Sequence, residues 1–124
     1  MTFFRYSWSW GSPDILPMFA KGATLNHMEA DFYGADFEDF SSSDPSDLDQ
    51  WVFDKVKAFM DKQGQSEGLR RKLRQDKLIL FLHLLGLDTN GHTNKPHSRM
   101  YDRYNFKEIN AKCYVSFVNV AIIP

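Results

Sequence analysis

The chain has 124 residues, a formal net charge of -1 and a single cysteine. Its length suits one domain with its own core, and its near-neutral charge argues against nucleic-acid binding by the whole surface. A lone cysteine excludes an internal disulfide, and the first residues lack a signal-peptide pattern. We therefore expect a single domain over residues 1–124 that is intracellular, in the cytoplasm or nucleus, and has no transmembrane segment.

The first segment predicts a β-strand. From Thr2 to Trp10 aromatic residues alternate with polar ones, which is the pattern of a half-buried strand. Tyr6, Trp8 and Trp10 should therefore face a core. The residues from Gly11 to Asp14 follow as a turn.

The segment from Glu29 to Phe40 combines acidic residues with aromatic ones. This composition is typical of a disordered recognition segment, in which acids maintain solubility while aromatic rings bind a partner's groove. The alternative is a loop that folds onto a basic surface of its own domain. We expect a flexible segment at residues 29–43, and its candidate protein-binding residues are Phe32, Tyr33, Phe37 and Phe40.

Two helices are predicted in the middle of the chain. The first begins at Asp44-Pro45 and ends at Gly64. The second begins at Ser66, contains most of residues 69–87 and ends at Gly86, because its leucines recur with helical spacing. The short connection between the two helices predicts that they pack antiparallel.

Basic residues cluster on the second predicted helix. Such a face binds phosphates of RNA or of a membrane surface, although a solvated helix face has the same composition. The candidate anion-binding or RNA-binding residues are Arg70, Arg71, Lys72, Arg74, Lys77, Lys95, Arg99 and Arg103.

The C-terminal part predicts a polar loop followed by a strand. Asn90-Gly91 and Pro96 indicate turns, and residues 109–117 alternate between apolar and polar. The more apolar residues that follow suit a strand that is covered on both sides or pairs with another copy. We therefore predict an α+β fold in which a small antiparallel sheet of the N- and C-terminal strands packs against two antiparallel helices.

No specific catalytic or cofactor pattern is present in the sequence. Asp88, His92 and His97, with Asp102 nearby, have side chains that suit a divalent metal, but their spacing matches no zinc pattern. His83 is interpreted as a hydrogen-bonded core residue. The sequence therefore predicts no catalytic residue, no cofactor, no metal and a protein that is not an enzyme.

The order of the predicted elements is similar to that of the folded core of rhabdovirus matrix proteins. An aromatic-rich strand, containing Phe3-Phe4-Arg5-Tyr6, precedes two helices, and a polar loop leads to a strand like that from Lys112 to Val120. The resemblance is one of topology and covers most of the chain. It implies a role in assembly.

These patterns leave three interpretations of function. The first is a non-enzymatic interaction protein that binds another protein through the acidic-aromatic segment. The second is binding of RNA or another polyanion through the basic helix, residues 69–77. The third is a viral matrix-like or other self-assembling structural protein that forms a homo-oligomer through its C-terminal strand.

Overall fold

A computed structural model of the chain describes residues 5–21, 23, 26–38, 44–86 and 120–123, together with positions 89, 92, 95, 98, 99 and 102. The strands are β1 (Tyr6–Gly11), β2 (Met28–Phe32), β3 (Leu78–His83) and β4 (Val120–Ile123). The helices are α1 (Leu16–Ala20), α2 (Ser46–Gln63) and α3 (Glu67–Leu73), and a 3-10 helix covers Ala35–Glu38.

The strands form one parallel sheet in the order β2-β1-β3-β4. Trp8 in the middle of β1 lies opposite Glu29 on β2 and Leu80 on β3. The domain combines helices and strands as predicted, but the predicted antiparallel sheet is wrong. Parallel neighbours need crossover connections, and the helical segments between β1, β2 and β3 supply them.

Helices lie on both faces of this sheet. The chain passes from β1 to β2 through α1, and then from β2 past β1 to β3 through α2 and α3. Because these two crossovers run in opposite directions and such connections are right-handed, α1 and α2 lie on opposite faces. Leu16 of α1 is fully buried, and it lies outside the core cluster that α2 covers.

The core lies between α2 and the β1–β3 part of the sheet. Phe59 of α2 packs against both Trp8 and Trp10, with 5.2 Å between ring centroids in each pair. Trp8 is 2% exposed and Trp10 is 5% exposed, so the prediction that they face a core is confirmed. Ser9 between them is also only 2% exposed, so β1 is covered on both faces and the predicted half-buried strand is wrong in this respect. The buried cluster consists of Trp8, Trp10, Val52, Val56, Leu80, Leu82 and Leu84.

The boundaries of α2 and the start of α3 are confirmed. The Asp44 carboxylate accepts the Ser46 N–H at 3.0 Å, and Gly64 follows the last residue of α2. Ser66 caps α3, since its Oγ accepts the Leu69 N–H at 3.3 Å. These signals are local, which is why the sequence predicts them.

The predicted continuation of the second helix is wrong. α3 ends at Leu73, and residues 78–83 form the strand β3. A short run that is apolar on all sides suits a strand buried on both faces as well as a buried helix. Lys77, which directly precedes β3, adopts a left-handed backbone conformation with φ of 60°, and this conformation is incompatible with a helix that continues from α3 into residues 78–83.

Two further predictions concern the acidic-aromatic segment and the C-terminal strand. Residues 29–32 of the acidic-aromatic segment belong to the strand β2, while residues 39–43 lie outside the described residues. The predicted strand at residues 109–117 also lies outside them, and residues 120–123 pair with β3 as β4. The single-domain organisation stays a prediction.

Candidate functional site at the carboxyl edge of the sheet

The carboxyl ends of β1 and β3 are where this topology favours a functional site. In an open parallel sheet, ligands bind at the carboxyl ends of strands, at the point where successive connections leave to opposite sides. Here the connection from β1 leads to β2 on one side of β1, and the next connection leads to β3 on its other side. The two connections therefore diverge at the boundary between β1 and β3. Their last residues are Gly11 and His83.

Gly11 lets these two strand ends approach closely. Its φ is +147°, and a Cβ at this position would lie 2.6 Å from the Cβ of His83 and 2.8 Å from the His83 carbonyl oxygen. Only glycine fits both the conformation and the space. The Gly11 carbonyl also accepts the Tyr33 N–H at 3.3 Å, so the exits of β1, β2 and β3 are held together.

Polar side chains follow this junction. Ser12 is buried, and its Oγ accepts the Asp14 N–H at 3.2 Å, which shapes the turn into α1. His83 is half-buried, and its ring stacks on that of Phe81 with 6.3 Å between centroids. The edge therefore carries a hydroxyl and an imidazole on rigid strand ends.

Asp49 of α2 holds the chain segment that leaves this edge. Its carboxylate is 4% exposed, and Oδ1 accepts the Gly86 N–H at 2.8 Å. A Cβ on Gly86 would lie 2.5 Å from both Asp49 Oδ2 and the Pro45 carbonyl oxygen, so this joint also requires glycine. The Thr89 N–H then donates to the Leu85 carbonyl at 3.0 Å, which marks a helical turn beginning beside the carboxylate.

Gly86 therefore begins a helical turn, and the prediction that it ends a helix is wrong. A carboxylate at a helix N-terminus interacts favourably with the unpaired N–H groups there. The role of Asp49 could not be predicted from the sequence, because one acidic residue in the first turn of a helix has many explanations. The roles of Gly11 and Gly86 could not be predicted either, because glycine after an apolar run also indicates an ordinary turn.

The polar loop with the candidate metal-binding residues Asp88, His92 and His97 follows this anchored segment. His92 is exposed, while Asp88 and His97 lie outside the described residues. Within the ranges that the structure describes, no group of three or more histidine, cysteine or acidic side chains is placed to hold a metal ion.

The four candidate protein-binding aromatics do not share one surface. Phe32 is 50% exposed at the end of the edge strand β2, whereas Tyr33 is 2% exposed and packs edge-on against Trp51 at 5.5 Å. Tyr33 therefore belongs to the packing of its own domain. The side chain of Phe37 and the whole of Phe40 lie outside the described residues.

The basic cluster is partly neutralised within the chain. Arg70 pairs with Glu67 at 2.6 Å, and Lys72 pairs with Glu29 of β2 at 3.1 Å. The second pair supports the alternative in which acidic residues fold onto their own basic surface. Five other candidates, namely Arg71, Arg74, Lys77, Lys95 and Arg99, are exposed, and Arg103 lies outside the described residues.

In the described part of the chain, none of the helices combines the length and the apolar composition needed to cross a bilayer.

Comparison with known proteins gives one consistent result. The chain is 52% identical over 105 residues to GPI ethanolamine phosphate transferase 1 of Mus musculus, and 50% identical over 105 residues to the Homo sapiens protein of that name. It is 56% identical over 97 residues to the Neurospora crassa protein of that name. The matches cover 78% to 85% of this chain but only 10% to 11% of the relatives, so the chain spans about a tenth of their length. No protein-family model and no solved structure matches it.

These relatives overturn the predicted function. The interpretations as a non-enzymatic interaction protein, an RNA-binding protein or a viral matrix-like protein are wrong, and so is the prediction that the chain is not an enzyme, because the relatives are transferases. The predicted cytoplasmic or nuclear location is wrong for the same reason, since GPI is a glycolipid of membranes. A missing catalytic motif does not exclude an enzyme when a chain spans only a tenth of its relatives.

Proposed function

We propose that this chain is a segment of an enzyme that transfers phosphoethanolamine to GPI at a membrane surface. The observation that carries the proposal is the identity of 50% to 56% to relatives that share one name in mouse, human and Neurospora crassa. The identity extends over 97 to 105 of the 124 residues of the chain.

The reaction places clear demands on an active site. A hydroxyl oxygen of the acceptor attacks phosphorus, the bond from phosphorus to the leaving oxygen breaks, and the hydroxyl proton must be taken up. Phosphoryl transfer depends mainly on positioning and on neutralising charge that develops on the phosphate oxygens. The protein must therefore offer rigidly held donors and a group that accepts a proton.

The carboxyl edge supplies groups of this kind. Gly11 lets the ends of β1 and β3 approach closely, Ser12 contributes a hydroxyl, and His83 contributes an imidazole at the end of β3. The segment anchored by Asp49 then carries Asp88, His92 and His97 in sequence. Imidazole and carboxylate side chains are the usual proton acceptors in enzymes. We assign these residues to positioning the phosphate and transferring the proton.

A chimera tests the proposal. The matching segment of the mouse relative is replaced by this chain, and the chimera is expressed in cells that lack the mouse enzyme. Incorporation of labelled phosphoethanolamine into GPI is then measured. We expect transfer to be restored, and we expect His92→Ala to reduce it by at least about tenfold, as loss of an acid or base does.

Lys57→Gln is the matched control, because Lys57 is exposed on α2 and pairs only with Asp61 among the described residues. Its transfer activity should equal that of the unmodified chimera. A chimera that reaches normal abundance but transfers no phosphoethanolamine would contradict the proposed function. Equal activity of the His92→Ala and control chimeras would remove His92 from the site.

A further inference from the structure

A groove lies between the edge strand β2 and helix α2, on the face of the sheet that α2 covers. Its volume is about 470 Å³, and its walls include Trp8, Trp10, Glu29, Asp31, Lys55 and Lys62. None of Gly11, Ser12 or His83 lines it, so it is separate from the carboxyl edge. Its volume falls in the range of small-molecule sites.

Charges of opposite sign face each other across the groove. Glu29 and Asp31 lie on the β2 wall, while Lys55 and Lys62 lie on the α2 wall, so the formal charges of the walls cancel. Such a groove matches a ligand that carries both signs better than it matches a simple anion or cation.

The existing ion pairs leave room for a ligand. Asp31 pairs with Lys55 at 2.8 Å and Glu29 pairs with Lys72 at 3.1 Å, but the two acidic side chains are 50% and 60% exposed. Half-exposed pairs of this kind contribute little net free energy, so exchanging one partner for a ligand costs little. Within the described ranges, the Lys62 ammonium has no carboxylate within ion-pair distance, and it is therefore available for an anion.

The floor of the groove is aromatic. Trp8, Trp10 and Phe59 pack together there, and because Trp8 and Trp10 are almost completely buried, the half-buried Phe59 supplies most of the ring surface that a ligand can reach. Lys55, which lines the groove, already places its Nζ 4.8 Å from the centre of the ring of Trp51 on the same helix. An ammonium linked to phosphate by two methylenes can use both features, since the methylenes pack on the rings and the charge interacts with their faces.

We propose that this groove binds a phosphoethanolamine headgroup, with the phosphate on Lys62 and the ammonium on the carboxylates of Glu29 and Asp31. The choice of this zwitterion rests on the proposed function, while the opposed charges and the aromatic floor are properties of the groove itself. The groove holds the headgroup beside the sheet rather than at its reacting edge. It is therefore a binding site additional to the catalytic one.

Titration of the 124-residue chain with soluble ligands tests this proposal. The amide signals of Ala30, Ala58 and Lys62 are followed by NMR while O-phosphoethanolamine, glycerophosphoethanolamine, inorganic phosphate or ethanolamine is added. The two phosphoethanolamine compounds should bind at least about tenfold more tightly than phosphate or ethanolamine alone, because only they engage both walls. A preference for the glycerol diester identifies a lipid headgroup as the source, and a preference for the monoester identifies the free compound.

Lys62→Gln should weaken phosphoethanolamine binding by about tenfold, whereas Lys57→Gln, on the same helix but outside the groove, should change it less than twofold. Neither Lys62 nor Lys57 contributes to the core, so both variants should keep the wild-type spectrum. Equal binding of inorganic phosphate, equal weakening by both variants, or signal changes confined to Gly11 and His83 would overturn the proposal. A chimera that transfers phosphoethanolamine although the groove binds none would leave the proposed function intact and reject the groove alone.

Discussion

Replacement of Asp49 by alanine tests the joint that anchors the segment leaving the carboxyl edge. The Asp49 carboxylate is 4% exposed and accepts the Gly86 N–H at 2.8 Å. It links helix α2 to the chain just after β3 and faces the start of the helical turn at Gly86. Alanine removes this acceptor from a buried N–H group.

The cost can be worked from these contacts. A hydrogen bond to a charged acceptor contributes roughly 1.5–3 kcal/mol net, and a carboxylate at a helix N-terminus adds about 0.3–1 kcal/mol. Part of this gain is offset, because alanine also removes the desolvation cost of a buried charge. We expect Asp49→Ala to lower the free energy of unfolding by about 2–3 kcal/mol. Asp49→Asn keeps an oxygen acceptor and should cost about 1 kcal/mol.

Urea unfolding of the 124-residue chain, followed by tryptophan fluorescence, measures both effects. Asp54→Ala is the matched control, because Asp54 is exposed on the same helix and accepts only the Gln50 side-chain amide at 2.9 Å among the described contacts. Its effect should stay within about 0.5 kcal/mol. If Asp49→Ala and Asp54→Ala unfold at the same urea concentration, Asp49 does not anchor the segment that leaves the carboxyl edge.

Two further predictions concern glycine and lysine positions. Gly86→Ala should lower the free energy of unfolding by more than about 2 kcal/mol, because its Cβ would lie 2.5 Å from the Pro45 carbonyl oxygen, which cannot move without its helix. Gly68→Ala is the control, because a Cβ at Gly68 in α3 would meet no atom closer than 3.9 Å; it should leave the free energy of unfolding unchanged or raise it by up to about 1 kcal/mol. Equal urea midpoints for the Gly86→Ala and Gly68→Ala variants would refute this contrast. The hydrogen bond to Asp61 raises the pKa of Lys57 above its ordinary value of 10.5. The stabilisation from this interaction is therefore complete below pH 10.5 and is lost as the pH rises through the raised pKa. Asp61→Asn should bring the Lys57 pKa back towards 10.5 in an NMR titration, and an unchanged pKa would contradict the assignment.

The elements with a local cause could be predicted from the sequence. The alternation of β1 and the caps of α2 and α3 depend on residues within a few positions of each other. Trp8 and Trp10 are buried because the pleat of a strand places every second side chain on one face. Ser66 caps α3 because its hydroxyl reaches the third amide beyond it.

The sheet could not be predicted once β3 had been assigned to a helix. Residues 78–83 are apolar enough to be buried in either form, and their length of six residues favours a strand. With β3 recognised, the order of elements becomes strand, helix, strand, two helices, strand, which predicts parallel pairing. The assignment of residues 78–83 to a helix therefore led to the prediction of an antiparallel sheet.

Helix α2 connects the two sites that we propose. Its first turns carry Asp49, which holds Gly86 at the carboxyl edge, and its later turns carry Lys55 and Lys62, which line the groove. These contacts join residues that are far apart in sequence, 37 positions in the case of Asp49 and Gly86, so no local motif reveals them. Because α2 is one continuous helix of 18 residues packed on Trp8, it fixes the distance between the groove and the edge. A headgroup held in the groove would therefore be kept at a constant position relative to the strand ends where we propose that transfer takes place.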